Sequence, residues 1–149
     1  MIEIKNIRKT FDDKVVLNDI SAVMQTGKCN LIIGASGSGK TVLTKCIVGL
    51  FMPDEGDILY DGANMVTMED EQRKSLRQQI GMLFQGSALF DSMTVEQNVM
   101  FPLDMFSRMG YKERKQRTDE VLARVELKDA HKKFPSEISG GMKKRVGIA

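Results

Sequence analysis

The sequence predicts an α/β fold with a β region first, a buried strand feeding a Gly-rich loop and helix next, and a helical second half. Three observations carry this. Ile2, Ile4 and Ile7 alternate with Glu3, Lys5 and Asn6, the pattern of a half-buried strand. Leu31–Ile33 is a continuous apolar run, as expected of a strand covered on both faces, and it runs straight into a glycine-rich stretch. From about Gln85 to Ala149 no strand pattern recurs, and helical spacing dominates.

Taken in order, Val15–Leu17 and Ile20–Met24 read as two short strands split by the turn-forming pair Asn18-Asp19 and ended at Gly27. Lys40–Leu50 follows the Gly-rich loop as a helix, which Pro53–Gly56 breaks. Ile58–Tyr60 makes another strand before an Asp61-Gly62 turn. Glu69–Gln79 is polar and helical, and Ile80–Phe84 is again strand-like. Thr118, Val121, Leu122 and Val125 recur at helical spacing, so residues 112–125 bury one narrow stripe and leave Lys112, Arg114, Lys115 and Arg117 on a solvated face. One domain over residues 1–149 is expected, with the β region and loop in 1–85 and the helical part in 86–149.

Composition narrows the function classes. The 149 residues are 42% hydrophobic and 28% charged, the balance of a globular chain. A net charge of +2 from 22 basic and 20 acidic residues argues against nucleic acid as the main partner. No run approaches the roughly 18–20 apolar residues of a membrane-spanning helix, and Glu3 and Lys5 exclude a signal peptide at the start. Cys29 and Cys46 lack metal-ligand spacing and read as two small buried residues of a reducing compartment. Eleven methionines suit adaptable apolar surface or irregular core packing.

Gly34-Ala35-Ser36-Gly37-Ser38-Gly39-Lys40-Thr41 matches the phosphate-binding pattern G-x-x-x-x-G-K-[ST] at every fixed position. Gly34, Gly37 and Gly39 let the backbone curl until its N–H groups converge on an anion. The helix opening at Gly39–Lys40 adds the positive end of its dipole. Lys40 can reach the β- and γ-phosphates of a nucleotide, and the Thr41 hydroxyl can ligate Mg²⁺. Ser139 is a good helix N-cap, and Gly140 and Gly141 after it permit close backbone approach.

The stretch Ile138–Val146, with Ser139-Gly140-Gly141-Met142, resembles the L-S-G-G-Q signature of ATP-binding-cassette (ABC) ATPases. With the loop some hundred residues earlier, the chain is similar to the nucleotide-binding domain of an ABC transporter over essentially its whole length. The resemblance implies a P-loop NTPase core with an N-terminal antiparallel β subdomain and an α-helical subdomain. It implies ATP and Mg²⁺ as cofactors, bound by Gly34, Ser36, Gly37, Gly39, Lys40 and Thr41. Gln85 then corresponds to the glutamine that helps hold Mg²⁺ and the attacking water. Phe11 lies where the family places an aromatic that stacks on adenine. Ser139, Gly140 and Gly141 would bind the γ-phosphate of ATP held by a second copy in a head-to-tail dimer. Residues 86–102, with Leu89, Phe90, Thr94, Val95, Asn98 and Val99, match the stretch that faces a transmembrane permease subunit, so the location implied is the inner face of the cell membrane. Met142 in place of the usual Gln, together with Met82–Phe90, looks like the ATPases of Mla/Mce-type phospholipid transport. Methionine-type and other amino-acid importers are the nearest alternatives.

The family's Walker B Asp-Glu pair and switch histidine have no counterpart here; His131 reads as a surface residue of a polar helical segment without a site role. The expectation is a truncated ATPase that binds nucleotide and hydrolyses little. Unpaired sheet edges should follow, relieved by rearrangement or by another chain, domain swapping included. A soluble ABC protein of translation or DNA repair, and a non-catalytic nucleotide-binding module, are the other readings.

Overall fold

The computed structural model describes residues 1–149 and divides into two compact units, Met1–Gly81 and Met82–Ala149. The first is built on a four-stranded antiparallel sheet in the order β2-β1-β3-β4. Strands β1 (Ile2–Phe11) and β2 (Lys14–Met24) form a hairpin whose two-residue turn places Asp12 at φ 49°. β3 (Glu55–Tyr60) pairs with the other edge of β1 and returns through Asp61-Gly62 to the short β4 (Ala63–Asn64). Both turn residues have positive φ, 47° and 87°, as a two-residue hairpin matching the strand twist requires.

β2 is one continuous strand, which corrects the two short strands expected there. Asn18-Asp19 is absorbed as a bulge instead of a turn. Asp19 takes φ 53°, Asn6 opposite takes φ 49°, and the Asn6 amide donates to Asp19 Oδ1 at 2.7 Å. A side-chain bond across the strands satisfies residues whose local preference is to turn. A second irregularity lies between β1 and β3, where the register shifts between Lys5 and Arg8. Gly56, at φ 91°, sits against it. A Cβ there would stand 2.4 Å from the Lys5 and Asn6 carbonyl oxygens, so the approach of the two strands requires glycine.

Helix α1 (Lys40–Ile47) covers one face of this sheet. Ile4, Ile7, Leu17 and Ile58 from the strands close over Leu43, Cys46 and Ile47 from the helix. Burial pushes the Cys46 thiol up from its ordinary value. The Tyr60 hydroxyl donates to the Ile47 carbonyl at 2.5 Å, occupying one of the free acceptors at the helix end. Helix α2 (Asp70–Arg77) is joined to the same end by Arg77, which donates to the Gly49 carbonyl at 3.2 Å.

Two expected strands are absent. Leu31–Ile33 has no regular secondary structure and joins no sheet; Ile32 packs on the core while Leu31 and Ile33 are 78% and 83% exposed. Ile80–Phe84 is likewise irregular, with Leu83 and Phe84 exposed. A strand needs a neighbour to take its backbone hydrogen bonds, and no strand of the four lies alongside either segment. Cys29, just before the first of them, is exposed instead of buried.

The second unit is helical, as expected: α3 (Val95–Phe106), α4 (Tyr111–Arg124), a 3-10 turn at Pro135–Glu137 and α5 (Gly140–Ile148). Thr94 and Gln97 cap α3 reciprocally, at 2.8 and 3.3 Å. Val95, Leu122, Leu127, Ala130, Ile138 and Val146 make its core. On α4 the stripe read from spacing is confirmed where it matters: Thr118 and Leu122 are fully buried. His131 lies in a turn, not a helix, and is half-buried with Nε2 3.0 Å from Asp119 Oδ1. The bond to α4 draws it inward.

Candidate functional site

The candidate site residues fall in both units. Phe11 and residues 34–41 belong to the first, Gln85 and residues 139–142 to the second.

In the first unit the Gly-rich loop leaves Ile33 and turns into α1. Gly37 and Gly39 adopt φ 78° and 89°, the left-handed region that side chains disfavour. Ser38 N–H donates to the Ala35 carbonyl at 3.2 Å, and Leu43 N–H to the Gly39 carbonyl at 2.8 Å. Gly39 is held for a second reason. Its absent Cβ would lie 2.9 Å from the Val16 carbonyl oxygen and 2.9 Å from Leu17 Cδ2, so the loop closes directly on β2. The hollow at this point, about 190 Å³, is lined by Val16 and residues 37–42. Val16 was invisible to motif reading, because its role comes from strand β2 passing under the loop.

Lys40 Nζ donates to the carbonyl oxygens of Gly34 and Ala35 at 2.8 and 2.7 Å. Its ammonium therefore lies within the curl of the loop. No acidic side chain stands in the first turn of α1, so nothing on the helix competes with an anion for its N-terminus. Thr41 is exposed in that turn. Its hydroxyl is a hard neutral donor, the type that suits Mg²⁺ when phosphates supply the remaining charge.

Phe11 ends β1 at the hairpin and is 37% exposed. Asp54 is fastened to the residues just before it. The Lys9 ammonium and the Thr10 amide both bond to its carboxyl and hold it below the usual carboxylate range. Burial pushes the Tyr60 hydroxyl, at the far end of α1, up to about 12.

In the second unit Gln85 is exposed in a tight turn, where Ser87 N–H donates to the Phe84 carbonyl at 2.9 Å. Ser87 and Ala88 both have positive φ, 63° and 47°. Helix α5 packs against this turn at Gly147, whose absent Cβ would lie 2.8 Å from Leu83 Cδ1. Ser139 caps α5, its hydroxyl accepting from Met142 N–H at 3.2 Å. Gly140 and Gly141 are exposed in the first turn, so their amides are open to an anion. Arg145, further along α5, donates to the Val125 carbonyl at 3.1 Å and anchors the helix on the end of α4. Asn98 ties the preceding loop. It accepts from Phe90 N–H at 2.7 Å and donates to the carbonyls of Phe90, Met93 and Thr94.

A family model described as "ABC transporter" matches residues 17–149. The chain is 40% identical over 151 residues to a methionine import ATP-binding protein, MetN, of Legionella pneumophila, covering 100% of this chain and 43% of that protein. It is 36% identical to a probable ribonucleotide transport ATP-binding protein, mkl, of Mycobacterium tuberculosis, covering 99% of this chain and 41% of that protein. The chain thus spans less than half the length of these curated relatives. Among solved structures, a dimeric ATP-binding cassette in a post-hydrolysis state with ADP and Pi superposes with a TM-score of 0.89 at 31% identity, over 99% of this chain and 67% of that one. The cbiO1 protein of Clostridium perfringens, part of an ABC transporter complex, gives 0.82 at 27% identity, over 99% and 59%.

Proposed function

This chain belongs to the ABC transporter family, and on that premise we propose that residues 1–149 form the ATP-binding part of a transporter's energising subunit. The observation that carries the proposal is the 34–41 loop, with its left-handed glycines and the Lys40 ammonium inside its curl. Lys40 would leave the two carbonyls for the β- and γ-phosphates. Gly34, Ser36, Gly37 and Gly39 would lend their amides, and the Thr41 hydroxyl would ligate Mg²⁺. Phe11 would stack on the base. Ser139, Gly140 and Gly141 would present the α5 N-terminus to the γ-phosphate bound by a second copy, head to tail. This last role draws support from the dimeric cassettes it is similar to.

Lys40→Ala tests the core of the reading. ATP binding measured by calorimetry should be lost, because no other cation lines the loop hollow. Unchanged affinity refutes the site.

The partner proposed is a transmembrane permease subunit, at the inner face of the membrane. No helix here is long and apolar enough to cross a membrane. Phospholipid is the cargo proposed from Met142 in the signature and from the Met82–Phe90 stretch. The 40% identity to a methionine import protein favours a second reading, an amino-acid importer. Permease capture separates them: binding of the chain to a methionine permease, and not to a phospholipid permease, overturns the lipid reading. For the chain produced alone, the exposure of Leu31 and Ile33 supports self-association, domain swapping included. A strictly monomeric species in light scattering refutes this.

A further inference from the structure

The Phe51 ring abuts Phe11 and Asp54 ties down the three residues before it, and we propose that they are positioning residues that preset the Phe11 ring for the base of the bound nucleotide. The inference rests on Phe11 being the base-stacking residue. The Phe51 ring meets Phe11 near edge-on, with centroids 5.4 Å apart and planes at 66°. That geometry is the favoured one for two aromatic quadrupoles. Asp54 fixes the backbone that leads into Phe11. Its amide donates to the Arg8 carbonyl at 2.9 Å, and its carboxylate accepts from Lys9 Nζ and Thr10 N–H, each at 2.6 Å. One residue therefore engages Arg8, Lys9 and Thr10 in succession.

The support is itself tied to the phosphate loop. Leu50 and Phe51 N–H donate to the Lys45 carbonyl at 2.8 and 3.1 Å, at the end of α1. The Lys45 ammonium lies 5.0 Å from the centre of the Phe51 ring. Helix α1 begins at Lys40, so base contact and phosphate contact are referenced to one eight-residue helix. An aromatic at the exposed end of a hairpin would otherwise lose side-chain freedom when a base stacks on it, which weakens binding. A ring already set by Phe51 avoids that loss. The effect should appear only with ligands that carry a base.

The test uses the 149-residue chain in calorimetry with two probes, ATP and inorganic tripolyphosphate. Phe51→Ala should weaken ATP about fivefold and leave tripolyphosphate unchanged, and Phe51→Tyr should restore ATP affinity. If Phe51→Ala does not fold, Phe51→Leu keeps the apolar volume and should show the same ATP-only loss. Phe11→Ala should weaken ATP about tenfold or more, and adding Phe51→Ala to it should cost nothing further. Equal loss of both probes, no loss of either, or full additivity with Phe11→Ala would overturn the proposal. Failure of the underlying reading looks different: Phe11→Ala itself would leave ATP affinity unchanged, or the unaltered chain would bind neither probe.

Discussion

Gly39→Ala should be the most damaging small substitution in the Gly-rich loop, for two separable reasons. At φ 89° an L-residue is disfavoured, at about 1–2 kcal/mol. The new methyl would also stand 2.9 Å from the Val16 carbonyl oxygen. Backbone cannot rotate away as a side chain can, so strand β2 or helix α1 must shift, at about 1–3 kcal/mol. Together the loss is about 3 kcal/mol. Gly37→Ala supplies the control. Gly37 has φ 78° and nothing within 4 Å of its absent Cβ, so only the backbone term of about 1–2 kcal/mol applies. Urea unfolding followed by circular dichroism measures both, and asparagine at each position refines the comparison. Asn accepts left-handed φ more readily than Ala, which shrinks the shared term and leaves the contact with Val16. Equal destabilisation at positions 37 and 39 would refute the close approach of loop and strand. Losses below about 0.5 kcal/mol at both, the usual size for neutral surface changes, would refute the left-handed loop itself.

Three further outcomes follow from the same geometry. The Tyr60 hydroxyl is raised to about 12 by burial. Its ordinary value in the unfolded chain is about 10, so its contribution is complete below pH ~10 and is lost as pH rises toward 12. Tyr60→Phe should flatten stability between those values, measured by thermal melts across the range. Ser139→Ala removes the cap on α5 and should lower stability by about 1 kcal/mol, read by urea unfolding; no change would mean that the α5 terminus is frayed in solution. Asn98→Ala removes the side-chain amide that accepts from Phe90 N–H and shares its two N–H groups among the carbonyls of Phe90, Met93 and Thr94. A loss of about 2 kcal/mol is expected, together with faster amide exchange at Phe90.

The helices were the most legible part of the chain because a helix closes its own hydrogen bonds within a few residues. Spacing alone found the buried stripe at Thr118 and Leu122, and local chemistry found the Ser139 cap. The turn over residues 34–41 was legible for the same reason: Gly37 and Gly39 take left-handed φ within one short segment of backbone. Phe51 and Asp54 were not. They lie some forty residues from Phe11, and only the antiparallel pairing of β1 with β3 brings them beside it.

The strands show the limit most clearly. Ile32 and its neighbours carry every local mark of a buried strand, yet Leu31 and Ile33 face solvent because no strand stands beside them. In β2 the error ran the other way: Asn18-Asp19 invites a turn, and Asn6 across the sheet holds it in the strand. The sequence by itself determined the loop, the caps and the helical stripes, whose interactions span only a few residues. Tertiary structure decided which apolar runs became strands, because every ladder hydrogen bond of a strand has its partner on another strand.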